Sequence, residues 1–108
     1  IAIASSNSRK LIQAVLESHG IASYFEAIVT SCDVKAGKPA PDVYLEAAKL
    51  LNLNPCDCVV FEDIPAGIMA GKAAGMTVFA VEDEFSEPLR EKKLELADGW
   101  VRDYKELI

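Results

Sequence analysis

The sequence predicts an α/β fold built around a parallel sheet. Short apolar segments alternate with helix-type segments over the whole length of 108 residues, which is typical of strand–helix–strand units. The segment Cys58–Phe61 is continuously apolar, as expected of a strand that is covered on both faces. Because no repeat, low-complexity tract or long linker interrupts the chain, we predict one unit over residues 1–108 with no internal boundary.

The first half of the chain predicts two strands from short apolar runs and two helices from apolar residues on one helical face. In chain order these are Ile1–Ser5, Ser8–His19, Glu26–Thr30 and Pro41–Leu51. Asn7 or Ser8 can cap the first helix, and Gly20 can end it. Pro41 suits the first turn of the second helix, after a loop over residues 31–41 that holds two prolines and a glycine.

The second half predicts three strands, two helices and a final helical turn. In chain order these are Cys58–Phe61, Pro65–Ala74, Thr77–Val81, Ser86–Leu96, Trp100–Val101 and Asp103–Leu107. Ser86 would cap the last helix, with Pro88 in its first turn. In the helix before it, Gly67 and Gly71 are followed by Gly75 at four-residue spacing. This spacing predicts that the helix backbone packs closely within the domain.

Composition excludes several classes of protein. Hydrophobic residues make up 51% and charged residues 26% of the chain, which rules out disorder as the main state. A net charge of −6 argues against nucleic acid as the main partner, since phosphate backbones require clustered Lys and Arg. No apolar run approaches the roughly 20 residues of a membrane span, and the start lacks the basic region of a signal peptide. We expect a cytoplasmic protein without a membrane partner.

The three cysteines, Cys32, Cys56 and Cys58, are predicted to be reduced and partly buried thiols. Their number is odd, and the last two form C-x-C rather than C-x-x-C. A zinc site needs four ligands, and the only histidine, His19, is far along the chain. These features favour a reducing compartment.

Polar residues that could carry chemistry follow three of the predicted segments. Ligands of open α/β sheets bind beyond the carboxyl ends of the strands. The first group, Ser5-Ser6-Asn7, brings hydroxyls, an amide and helix N–H groups together as an anion site, although simple helix capping uses the same residue types. The second, Glu62-Asp63, offers the oxygen ligands that Mg²⁺ prefers. The alternative interpretation of this pair is that Asp63 caps the following helix and that Glu62 is solvated.

The third group is the loop around Lys38. Prolines at positions 39 and 41 restrict the loop, so the ammonium group would be delivered to one place, where it suits a phosphate. The alternative is a solvated lysine in a turn. Taken together, the hydroxyls, the lysine and the acid pair suit phosphoryl transfer with Mg²⁺.

Two longer motifs follow the apolar strand that ends in Ser5. The first is G-K-P-x-P-D-x-[YF] at Gly37–Tyr44, and the second is an E-D-x-x-x-G motif that begins at Glu62 and ends in A-G-M at Met76. In the order of these motifs the chain resembles the haloacid dehalogenase-like hydrolases, in the branch of β-phosphoglucomutase and the sugar-phosphate and phosphoglycolate phosphatases. The resemblance covers roughly residues 1–82. It implies a Rossmann-like three-layer sandwich with a parallel sheet, and an enzyme that acts on a small phosphorylated metabolite.

The resemblance also implies roles for individual residues. Ser5 would bind the transferring phosphoryl group, with Ser6 and Asn7 adding contacts to the phosphate. Lys38 would neutralise charge on the nucleophile and on the phosphoryl oxygens, so that Lys38 and Ser5 are the expected catalytic residues. Asp63, helped by Glu62, would hold Mg²⁺.

One family feature does not occur in the sequence, the D-x-D motif that carries the nucleophile and its acid/base partner. In the family this motif ends a central strand, and a cap domain usually follows. We therefore expect the chain to be the C-terminal portion of a phosphatase-like core that needs an N-terminal segment of its parent chain and is inactive alone. A β-phosphoglucomutase-type mutase and a non-catalytic domain that binds phosphate and metal remain as alternatives.

Overall fold

The computed structural model describes residues 1–82 and 88–103, and confirms an α/β fold with parallel strands. Five strands and four α-helices lie in this part of the chain. They are β1 (Ala2–Ser5), α1 (Arg9–Ser18), β2 (Ala27–Thr30), α2 (Asp42–Leu50), β3 (Val59–Glu62), α3 (Pro65–Ala73), β4 (Thr77–Val81), α4 (Arg90–Leu96) and β5 (Gly99–Val101). None of these helices is long and apolar enough to cross a membrane.

Most boundaries agree with the sequence prediction, but the last helix does not. Ser8 caps α1 by accepting a hydrogen bond from the backbone N–H of Leu11 at 3.2 Å. Helix α4 begins only at Arg90, so Pro88 precedes its first turn. The predicted cap Ser86 lies outside the described residues, as does most of the predicted turn at 103–107.

The strands form two parallel sheets rather than one continuous sheet. β1 pairs with β2, so that Ser5 lies opposite Thr30. The second sheet has the order β3–β4–β5, and Glu62 lies opposite Ala80. Within the described residues β1 and β3 share no backbone ladder, because each belongs to a different sheet. The carboxyl ends of both strands nevertheless come together, through the loop described below.

Close packing of α3 on the second sheet depends on a glycine. Ile68 of α3 and Val78 of β4 are fully buried in the same hydrophobic core, and the backbone of Gly71 lies close to the Val78 side chain. A Cβ atom at Gly71 would come within 2.6 Å of a Val78 methyl group. Gly75 then ends the helix with a φ of +83°, which a residue without a Cβ adopts at no steric cost.

Candidate functional site

Lys38 bridges the carboxyl ends of β1 and β3. Its ammonium group donates a hydrogen bond to the Ala4 carbonyl of β1 at 3.1 Å and forms an ion pair with Glu62 Oε1 of β3. The Lys38 side chain is only 9% exposed and that of Glu62 is 8% exposed. The alternative of a solvated lysine in a turn is therefore wrong, because the charge is enclosed and paired.

Glu62 is held by two donors and by the backbone of α3. Besides Lys38, the Tyr44 hydroxyl donates a hydrogen bond to Glu62 Oε1. The carboxylate lies so close to Gly67 that a Cβ atom there would overlap it, since even Oε1 would be 2.6 Å away. The alternative of a solvated Glu62 is wrong as well. Burial of the Glu62 carboxylate is compensated by the Lys38 cation and by the hydrogen bond from Tyr44, as a buried charge requires.

Tyr44 connects the loop motif to this acid. The ring is 7% exposed, and its centroid lies 5.1 Å from the Lys38 Nζ atom. Burial, followed by the negative charge of Glu62 and the hydrogen bond to it, raises the pKa of Tyr44 well above its ordinary value, and Asp63 adds to this shift. The phenol therefore remains a hydrogen-bond donor throughout the physiological pH range.

Asp63 follows Glu62 and is exposed at the end of β3. Its effect on the pKa of Tyr44 shows that its charge acts on the same cluster. Lys38 contributes one positive charge, whereas Glu62 and Asp63 contribute two negative charges, so that one net negative charge remains. An exposed carboxylate in such a cluster fits Mg²⁺, which commonly takes one or two carboxylates and keeps several waters. Residues 1–82 and 88–103 contain no group of three potential metal ligands, so Asp63 and Glu62 would provide only part of the coordination shell.

The stretch after β1 lies next to this cluster, because Ser5 follows the Ala4 carbonyl that Lys38 contacts. The Ser5 hydroxyl accepts a hydrogen bond from the Asn7 backbone N–H at 3.0 Å, which folds the chain into a tight turn. Ser8 serves as the cap of α1, and Ser6 and Asn7 are exposed. Capping therefore does not occupy Ser5, Ser6 or Asn7, and these residues remain predicted phosphate ligands.

Sequence reasoning missed the part that Tyr44 plays. The signal was present, because the tyrosine lies in the same motif as Lys38, six residues later. The acceptor of its hydroxyl, Glu62, lies 18 residues further along the chain, at the end of β3. A pattern of residue types cannot show which of several acids such a hydroxyl meets.

The cysteines lie apart from this cluster, and all three are free thiols. Cys32 and Cys56 are exposed, and only Cys58 is half-buried, so the prediction of partly buried thiols is correct for one of the three. Burial, followed by the charge of Asp57, raises the pKa of the Cys58 thiol. Cys32 lines an open groove of about 540 Å³ that contains none of the predicted site residues.

Residues 1–75 match the sequence profile of the haloacid dehalogenase-like hydrolases. The chain belongs to this family. This haloacid dehalogenase-like chain is 50% identical over 82 residues to the bifunctional riboflavin kinase/FMN phosphatase of Arabidopsis thaliana, covering 75% of the chain and 22% of that protein. It is 41% identical over 76 residues to the fructose-1-phosphate phosphatase of Escherichia coli, covering 70% of the chain and 40% of that protein.

A solved structure supports the same branch of the family. The β-phosphoglucomutase of Clostridium difficile superposes with a TM-score of 0.81 at 32% identity, covering all of this chain and 45% of the enzyme. The predicted resemblance to the β-phosphoglucomutase and phosphatase branch is thus confirmed. The chain spans less than half the length of these relatives, and it corresponds to part of their Rossmann-like core.

Proposed function

We propose that this chain forms part of an Mg²⁺-dependent phosphatase that hydrolyses a small phosphorylated metabolite. The observation that carries the proposal is the enclosed Lys38 ammonium group, held by Glu62 at the carboxyl ends of β1 and β3, with the exposed Asp63 directly after Glu62 in the chain. The phosphatase activities named for the Arabidopsis and Escherichia relatives act on FMN and on fructose 1-phosphate, both of which are phosphorylated small molecules. The family relationship supports phosphate monoester chemistry, and the cluster supplies groups that suit it.

The charges of the cluster fit this chemistry. Without a metal ion, Lys38, Glu62 and Asp63 together carry one net negative charge, which repels a phosphate dianion. A divalent cation held by Asp63 would make the cluster net positive and would polarise the phosphoryl oxygens. Lys38 presents a fixed ammonium to a phosphoryl oxygen, and Ser5 and the turn after it offer a hydroxyl and N–H donors.

The nucleophile in this proposal is an aspartate of a D-x-D motif outside this chain. Its carboxylate oxygen forms a bond to phosphorus while the ester P–O bond breaks, and the leaving oxygen takes a proton from the second aspartate of the motif. Water then attacks the aspartyl-phosphate, which releases inorganic phosphate and restores the carboxylate. A mutase would pass the phosphoryl group to a sugar hydroxyl instead, and the similarity to β-phosphoglucomutase favours it as the second candidate.

The substitution Asp63→Asn tests the metal assignment in the full-length protein. We expect Mg²⁺-dependent release of phosphate to fall by at least about 10²-fold, and Mg²⁺ affinity measured by isothermal titration to fall with it, while the thermal midpoint stays unchanged. Asp57→Asn is the matched control, because Asp57 is exposed before the amino end of the same strand. Unchanged Mg²⁺ affinity in Asp63→Asn would refute the assignment.

A further inference from the structure

The Tyr44 hydroxyl and the Lys38 ammonium group share one acceptor, the Oε1 atom of Glu62. Tyr44 reaches this atom from the first turn of α2, where its own backbone N–H is bonded to the Pro41 carbonyl at 3.1 Å. Lys38 reaches it from the preceding loop. The three side chains are each less than one-tenth exposed, so water competes little for these contacts.

A lysine alone would not be fixed by this arrangement. Its side chain has four methylene groups and loses conformational entropy when it is ordered, and its ammonium donors rotate freely. Its position therefore depends on how firmly its acceptors are held. The Ala4 carbonyl belongs to β1 and is rigid, whereas Glu62 is a flexible side chain. The Glu62 carboxylate is restricted on one side by Gly67 and on the other by the Tyr44 hydroxyl.

We propose that Tyr44 is a positioning residue, which holds the Glu62 carboxylate in the orientation that places the Lys38 ammonium at the carboxyl end of β1. This inference rests on the proposed function and extends it to a residue that touches neither the phosphate nor the metal. The hydroxyl acts through Glu62 on Lys38, and Lys38 acts on the phosphoryl group.

The variant Tyr44→Phe removes the hydroxyl and keeps the ring that fills the core. Tyr24→Phe is the matched control, since Tyr24 is 67% exposed. In full-length protein labelled with ¹⁵N,¹³C-lysine, the Lys38 side-chain signal is assigned by its loss in Lys38→Met. We expect Tyr44→Phe to shift this signal and to speed the exchange of its ammonium protons, and Tyr24→Phe to leave both unchanged.

Kinetics provides the second measurement. We expect Tyr44→Phe to lower kcat for an aryl phosphate about tenfold while KM changes less than twofold. In a Lys38→Met background the same substitution should have no further effect, because the residue it positions is absent. An unchanged Lys38 signal in Tyr44→Phe would overturn the proposal, as would a full tenfold loss of kcat when the substitution is made in the Lys38→Met background.

Failure of the proposed function would be distinguishable from failure of this inference. If the wild-type protein released no phosphate from any monoester, the phosphatase assignment would be wrong. The Lys38 signal would still decide whether Tyr44 holds the lysine. If Lys38→Met does not fold, the lysine signal is assigned from the wild-type protein by through-bond experiments. An unshifted signal in Tyr44→Phe would again overturn the proposal.

Discussion

Replacing Gly67 by alanine should displace the Glu62 carboxylate and so release Lys38. A Cβ atom at this position would overlap the carboxyl group, with the more distant oxygen at 2.6 Å. The end of a glutamate side chain could ordinarily swing away at little cost. Here it is buried and bonded to Lys38 and Tyr44, so any movement large enough to accept the methyl group breaks these contacts.

Two opposing terms determine the magnitude. Gly67 lies in the first turn of α3, where alanine is favoured over glycine by at most the helix-interior value of about 0.5–1 kcal/mol. Separating a buried carboxylate from its ammonium partner costs about 3–5 kcal/mol when the charge remains buried. The net expectation is a loss of about 2–4 kcal/mol from the free energy of unfolding, a large part of the 5–15 kcal/mol that is usual for a domain.

Urea unfolding of Gly67→Ala and Gly71→Ala would test this reasoning. Gly71→Ala is the matched control in the same helix, because its Cβ would meet the apolar Val78 and should cost about 1–3 kcal/mol by overpacking. Both variants should therefore lose stability, but only Gly67→Ala should shift the Lys38 side-chain NMR signal. A Gly67→Ala protein that is more stable than the parent, with its Lys38 signal unchanged, would refute the argument.

Two further predictions concern ion pairs. Lys38→Met leaves the buried Glu62 carboxylate without its cation, so we expect the free energy of unfolding measured in urea to fall by about 3–5 kcal/mol. The double variant Lys38→Met/Glu62→Gln should recover part of this loss. A loss below about 0.5 kcal/mol in Lys38→Met would show that the ion pair contributes little. Asp98 accepts hydrogen bonds from the Lys72 ammonium group at 2.6 Å and from the Val78 backbone N–H at 2.8 Å. Both bonds lower the pKa of Asp98 below its ordinary value of 3.8, and the bond from Lys72 has the larger effect. A lowered pKa in the folded state stabilises the protein above pH 3.8, and this contribution disappears as the pH falls through the folded-state pKa. The thermal midpoint of Asp98→Asn should therefore decrease less between pH 4 and pH 2 than that of the parent. The difference corresponds to at most about 1 kcal/mol, because the ion pair is partly exposed. Thermal midpoints of the two proteins that fall in parallel with pH would contradict this prediction.

Local patterns predicted the elements well because their causes are local. The caps and glycines of α1 and α3 act within one turn of the helix that they end, so Ser8 and Gly75 could be read directly from the sequence. The start of α4 was less predictable. Proline at position 88 is compatible both with a first helical turn and with the segment before one, and the structure begins the helix at Arg90.

The candidate site was predictable in its residue types but not in its pairings. The motifs identified Lys38, Glu62 and Asp63 as neighbours at the ends of strands. They did not show that Glu62 is buried beneath Lys38 while Asp63 faces solvent, because this depends on how α3 and the loop pack against β3. The four-residue spacing of the glycines in α3 predicted close packing of the helix on the sheet. At Gly67, however, the group that occupies the space of a missing side chain is the Glu62 carboxylate.

The division of the strands into two sheets has a consequence for the position of Lys38. β4 is bonded on both edges, whereas β1 and β3 lie in different sheets. Among the described residues, side-chain contacts and not a backbone ladder therefore join β1 to β3. The Lys38 ammonium group makes such a contact, because it bonds to the Ala4 carbonyl of β1 and to the Glu62 carboxylate of β3. Its position therefore depends on the distance between these two strands, and a change in that distance would move the ammonium group without breaking a hydrogen bond inside either sheet.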